Sequence, residues 1–200
     1  MKLYDTAASG NCHKVRLCLS MLGIEYETVP VNLLEKEQKT PQHLARHPLG
    51  KVPALEDGDL VIWDSQAILV YLGGKFGSPD WWPADAAGQA QVMQWLAFAV
   101  NEMFAGPAMA RALLKFKREG DLAGAQSLAN DALTVLDGRL SGNDWLALDR
   151  PTIADLACYP YAGLVWEGEV SVEPYAAVRA WLKGVEALPG YVGMEGLPHD

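Results

Sequence analysis

Cysteine is scarce in this chain: Cys12, Cys18 and Cys158 are the only three in 200 residues. The number is odd and no two stand in a C-x-x-C or other metal-ligand spacing, so neither a disulfide framework nor a metal site is expected. Positive charge is also in short supply, with 16 Lys and Arg against 25 Asp and Glu and a formal net charge of -9. That field repels phosphate backbones, and no Lys/Arg cluster makes a local exception, which excludes nucleic acid as the expected ligand. Long apolar runs are missing too. "AILVYL" and "WLAFAV" fall short of the ~20 residues that cross a bilayer, and "MKLYDTAASG" lacks the apolar core of a secretory signal. A soluble, cytoplasmic protein without a membrane partner is the expectation.

What is present suffices for one or two ordinary cores, since half of the residues are hydrophobic. "KLYD" reads as a short strand, followed by a helical period at Val15, Leu19 and Leu22 that ends at Gly23. "IEYETVPV" alternates like a strand, with Pro30 marking an edge or an end. Thr40-Pro41 opens a short helix, Asp57-Gly58 signals a hairpin, and Asp64 or Ser65 caps the helix after it. The order β-α-β-α-β-β-α predicts a small sheet flanked by helices over residues 1–76. "FGSPDWWP" punctuates the chain as a linker at 77–84, and beyond it strand signals nearly vanish, so residues 85–200 are expected to form an all-helical second domain.

The chemistry-bearing residues gather in a few short stretches. "SGNC", residues 9–12, stands between the first strand and the first helix, where unpaired backbone N–H groups and the positive helix end favour an anion. Ser9 is either an N-cap or a hydroxyl that handles a thiol. Asn11 is a second donor or a loop holder. The stretch also has the frame of a C-x-x-C motif with serine in first place, so Cys12 is either a low-pKa thiol at a helix start or a small core residue. His13 and His47 have no partner at ligand spacing and are assigned to surface or loop positions. Thr152 and Asp155 have the spacing of a capping box.

Five segments, in order, carry a resemblance: "SGNCHKVRL", "HPLGKVPAL", "WDSQAILVYL", "PTIADLACYPY" and "AVRAWLKGVEALPGY". With this spacing the chain resembles the cytosolic glutathione transferases, of the bacterial, theta-like kind. The resemblance implies an α/β thioredoxin-like N-terminal domain, an all-α C-terminal domain, a homodimer, and glutathione as co-substrate with no metal. It implies a transferase that conjugates the glutathione thiolate to a small hydrophobic electrophile, in a detoxifying role. A glutathione-dependent disulfide reductase or deglutathionylase, and a non-catalytic interaction module, are the alternatives.

Carried onto this sequence, the resemblance gives Ser9 the activation of the glutathione sulfur, with Asn11 and Cys12 as further catalytic candidates. It implies a cis bond at Val52-Pro53, which frees the Val52 backbone to pair with the cysteinyl unit like an added strand. Ser65 and nearby N–H groups would take the γ-glutamyl carboxylate while Asp64 faces the ammonium. Lys51 would meet the glycyl carboxylate, with Gln38 as a further hydrogen-bonding group. Asp64 and His47 depart from the glutamate and asparagine more usual in the family. Among the apolar residues of the helical half, one or two of Met103, Phe104 and Met109 are expected to line the second-substrate site.

Overall fold

The computed structural model describes residues 1–197; residues 198–200 of the expected helical domain lie outside the described residues. The N-terminal half runs β1 (Lys2–Asp5), α1 (Gly10–Met21), β2 (Glu27–Pro30), α2 (Pro41–Leu44), β3 (Ala54–Asp57), β4 (Leu60–Trp63) and α3 (Ser65–Phe76). A 3-10 turn at Glu37–Lys39 precedes α2. The sheet order is β2-β1-β3-β4, with β1 and β2 parallel and the other neighbours antiparallel. Pro30 is the last residue of an edge strand, where its missing N–H costs no ladder bond.

Local chemistry explains the joints. Gly23, at φ 65, ends α1 in a left-handed turn: its N–H bonds the Ser20 carbonyl and the next N–H, from Ile24, reaches back to Leu19. Asp57 faces Leu60, so the hairpin turn is Gly58-Asp59, one residue later than the sequence reading, with Gly58 at φ 61. The Thr40 hydroxyl accepts from the His43 amide at the start of α2.

The second half is helical: α4 (Ala86–Val100), α5 (Met109–Lys115), α6 (Leu122–Leu140), α7 (Ile153–Gly163) and α8 (Ala176–Glu186). A π-type turn at Phe104–Ala108 containing Pro107 separates α4 from α5. α7 is buried along its whole length because it packs between α1 and α3 on one side and α4 and α8 on the other. Apolar residues all round, "IADLACYPYAG", suit a helix with no solvent face. One continuous cluster of buried side chains runs from Leu3 through Leu69 and Leu136 to Val185, so the two halves share a core. The fold is a thioredoxin-like α/β domain joined to an all-α domain.

Candidate functional site

Strand direction gathers the candidate loops. Tyr4 and Trp63 both face Ala54, the first residue of β3, while β1 ends at Asp5 and β4 at Trp63. The segments after β1, before β3 and after β4 therefore share one end of the sheet. They carry Ser9, Asn11 and Cys12; Lys51, Val52 and Pro53; and Asp64 and Ser65. The connection leaving β2 at the same end brings Gln38. The Val52-Pro53 peptide is cis, directly before β3.

At the first loop, the Ser9 hydroxyl oxygen accepts from the Cys12 N–H at 3.2 Å and caps α1. Its own proton is not used in that bond. Gly10 is required beside it, since a Cβ there would lie 2.9 Å from the Tyr161 ring on α7. Burial pushes the Tyr161 phenol up to about 12, and its oxygen faces the Asn11 N–H. Asn11 itself is half-buried beside Ser9.

Cys12 corrects one expectation. Its side chain turns inward and is fully buried, and desolvation, helped by the Asp5 charge, pushes the thiol up. A thiol kept protonated in the core is a small apolar residue and not a nucleophile. Burial likewise pushes Cys18 up to about 12 and raises Cys158. His13 is corrected as well, being buried within α1, whereas His47 holds the expected loop position, before β3, and is buried there. His47 packs against His43 and Trp63 with ring centroids 6.5 and 5.3 Å apart, and desolvation holds its imidazole below the ordinary value.

At the third loop, Asp64 caps α3 by accepting from the Gln66 and Ala67 N–H groups at 2.9 and 3.3 Å. It does so at φ 78, a sparsely populated region for a residue with a Cβ, and such strain gathers at functional sites. Ser65, next in the chain, is buried. Lys14 lies behind this corner, its ammonium 5.1 Å from the Tyr161 ring centroid. Desolvation lowers it to about 8, and the Asp64 charge opposes the shift. Lys51 is exposed, while its carbonyl is held by His43 Nε2 at 2.8 Å, which fixes the approach to the cis bond. Gln38 donates to the Leu33 carbonyl at 3.4 Å, and its amide oxygen is buried with no partner among the described residues.

The second-substrate candidates scatter. Met103 is fully buried in the main core. Phe104 is exposed on a cleft of about 480 Å³ between α4 and α6, with Phe98, Leu128 and Val135. Met109 packs with Leu122 against Ala110, Leu113 and Ala125.

Two residues that the sequence reading missed do reach the Ser9 loop: Tyr161, under Gly10, and Arg111. Arg111 Nη1 donates to the Ala8 carbonyl at 3.0 Å, its Nε pairs with Glu167, and its guanidinium lies 5.1 Å from the Phe116 ring centroid. A contact across 103 positions leaves no local signal. No cluster of His, Cys, Asp and Glu able to hold a metal occurs among the described residues.

Comparison with known proteins agrees with this layout. Residues 1–74 match the model of the glutathione S-transferase N-terminal domain and residues 90–189 that of the C-terminal domain. A probable glutathione S-transferase of Oryza sativa subsp. japonica, GSTF2, is 32% identical, covering 94% of this chain and 93% of its own. The crystal structure of a glutathione S-transferase from Pseudomonas fluorescens superposes with a TM-score of 0.91 at 31% identity, over 96% of this chain and 98% of that one. Ure2p in complex with glutathione superposes with a TM-score of 0.84 at 26% identity, over 95% and 90% of the two chains. On both of its domains, the chain belongs to the glutathione S-transferase family.

Proposed function

We propose that the protein binds glutathione at the end of the sheet and conjugates it, through its thiolate sulfur, to a small hydrophobic electrophile. The observation that carries this reading is the convergence of the Ser9, Val52-Pro53 and Asp64-Ser65 segments at that end, in a member of this family. Ser9 donates a hydrogen bond from its hydroxyl to the sulfur, and the positive end of α1 favours the thiolate. The thiol proton leaves to solvent. The sulfur lone pair then forms the new bond to carbon, and the electrophile's leaving group departs with the electron pair of the bond that breaks. Binding both partners side by side adds proximity to activation.

Glutathione carries two carboxylates and one ammonium, and the site offers a group for each. Ser65 and its N–H take the γ-glutamyl carboxylate and Asp64 the ammonium. Lys51, assisted by Gln38, takes the glycyl carboxylate, and the Val52 backbone pairs with the cysteinyl unit. Asp64 already occupies two N–H groups of α3, so the Ser65 hydroxyl carries more of the carboxylate than helix capping alone would leave to it. Asn11 braces the Ser9 loop. Beside Arg111, the exposed Phe116 supplies an apolar wall for the electrophile.

The buried, protonated Cys12 supports conjugation over a reductase that forms a mixed disulfide at that residue. A cytoplasmic location is consistent with three free thiols. A homodimer is the proposed assembly, supported by the exposed apolar cleft around Phe104, Leu128 and Val135. The test is calorimetric titration with glutathione, followed by conjugation of a chromogenic chloronitroarene. Binding that weakens in Ser65→Ala, together with turnover, supports the reading; no binding at millimolar glutathione overturns it.

A further inference from the structure

Ser9 is presented by a peptide unit that is held at both ends. A peptide is planar, so the Ala8 carbonyl and the Ser9 N–H lie in one rigid plate. The Ser9 N–H donates to the Thr6 carbonyl at 3.0 Å, and the Ala8 oxygen accepts from Arg111 Nη1 at 3.0 Å. The preceding carbonyl, of Ala7, accepts from Arg16 Nη2 at 3.0 Å, and Arg16 is itself held by Asp5 at 2.6 Å. Arg16 belongs to the same small domain. Arg111 comes from the other half of the molecule.

Arg111 sits in a frame of its own. It is 2% exposed, its Nε pairs with the Glu167 carboxylate, and the second oxygen of Glu167 accepts from Lys115 at 2.5 Å. The turn carrying Glu167 is locked against α5: a Cβ on Gly168 would lie 2.7 Å from Ala110 Cβ and 2.9 Å from the Arg111 nitrogen. One guanidinium nitrogen, Nη2, is buried with no partner among the described residues. A buried ion pair with an unused donor is a poor device for stability, since apolar side chains of similar volume serve as well or better. Its geometry is specific, however: a planar fork that addresses Glu167 and the Ala8 oxygen together.

We propose that Arg111 is a positioning residue for thiol activation: from the helical domain it fixes the Ala8-Ser9 peptide plane and thereby aims the Ser9 hydroxyl and the first N–H groups of α1 at the glutathione sulfur. This rests on the glutathione-transferase reading above. Through Glu167, the placement of the helical domain and the ionisation of the thiol become one property, because the carbonyl that sets Ser9 is tied to α5. Lysine cannot replace the arginine, as one ammonium on a flexible stem does not hold the carboxylate and the carbonyl in fixed relative geometry.

The experiment is a pH titration of the ultraviolet thiolate band of bound glutathione, with kcat and the glutathione KM, in wild type, Arg111→Gln, Arg111→Lys and Glu167→Gln. In both Arg111 variants the thiol midpoint rises toward the free value of about 8.5. At a pH below that midpoint kcat falls about tenfold or more, as misplaced reacting groups cost, while KM stays within about threefold. Glu167→Gln, which leaves Arg111 in place but weakens its anchor, moves the midpoint the same way by less; it serves as the test if the Arg111 variants do not fold. A shifted midpoint in wild type that persists in the folded variants overturns the positioning role, as does full restoration by Arg111→Lys, which would make the charge and not the fork the agent. A wild-type band that titrates like free glutathione overturns the proposed function, and this inference with it.

Discussion

The Ser9 hydroxyl accepts a hydrogen bond from the Cys12 amide at 3.2 Å, while the Cys12 thiol lies fully buried behind it. Capping and thiol chemistry are therefore not alternatives at this position. An oxygen lone pair serves the helix, and the hydroxyl proton, which among the described residues has only the Cys12 sulfur to face, turns to an anion placed there. The helix start that orients the serine also turns the cysteine inward, so its buried sulfur lies behind the Ser9 hydroxyl.

It follows that Cys12→Ala retains glutathione conjugation within about threefold, because the lost atom belongs to the core, and loses stability on the order of 1 kcal/mol. The same burial covers Cys18 and Cys158. A chromogenic disulfide reagent added to the native protein is expected to find no fast-reacting thiol, and to find all three after unfolding. Loss of conjugation in a folded Cys12→Ala protein would restore the cysteine to the mechanism.

Asp155 is a structural carboxylate. It is buried and accepts from the Thr152 amide at 2.9 Å, the Leu146 amide at 3.0 Å and the Trp181 indole at 2.9 Å. Asp155→Ala leaves these buried donors without an acceptor, at roughly 1–3 kcal/mol each, so a loss of about 3 kcal/mol or more is expected in denaturant unfolding. Asp155→Asn, which keeps one acceptor oxygen, loses less. Turnover per folded molecule stays unchanged in both.

His13 sets a pH dependence. Both ring nitrogens are buried without a partner among the described residues, and desolvation, reinforced by Arg16, lowers the imidazole from 6.5 to about 3. The folded value is depressed, so the unfolded chain takes up the proton first on acidification. The stability contribution is whole above 6.5 and is lost as the pH falls through the window from 6.5 toward 3. At pH 5 the loss reaches about 2 kcal/mol. In unfolding measured from pH 7.5 to pH 5, His13→Leu is expected to show a slope flatter by nearly one proton; an equal slope would mean that His13 is solvated.

Gly10 separates α1 from Tyr161. Gly10→Ala places a methyl 2.9 Å from the phenol ring, and the helix start must move or the ring must give, at a cost of about 1–3 kcal/mol. Because that start carries Ser9, the substitution is also expected to lower conjugation. Trimming the ring instead, in Tyr161→Leu, relieves the contact. Unchanged melting and turnover in Gly10→Ala would mean that this joint has room for a methyl group.

Local signals made much of this legible. The period of Val15 and Leu19, the glycine at 23, the hairpin dipeptide and the Thr152/Asp155 box each act within a few residues, and each corresponds to an element in the structure. The inward face of Cys12 is also local, since it follows the helical period of its neighbours. Other features depend on distant partners. Met103, which is buried, opens the turn around Pro107, whose π-type geometry has no simple sequence signature. His13 and His47 read as surface or loop residues because polar side chains usually are, and their burial is imposed by α7 and by the loop before β3. Arg111 was invisible for the plainest reason: its partner Ala8 is a backbone carbonyl, which every residue possesses.

The most direct test of thiol activation at Ser9 is the pH midpoint of the thiolate band of bound glutathione, in wild type and in Ser9→Ala. A hydrogen bond to a charged group is worth about 1.5–3 kcal/mol, so the wild-type midpoint is expected to lie below that of free glutathione and to rise by about one to two pH units in the variant. Glutathione that binds wild type with an unshifted midpoint, or a shifted midpoint that Ser9→Ala leaves in place, would contradict the role proposed for Ser9.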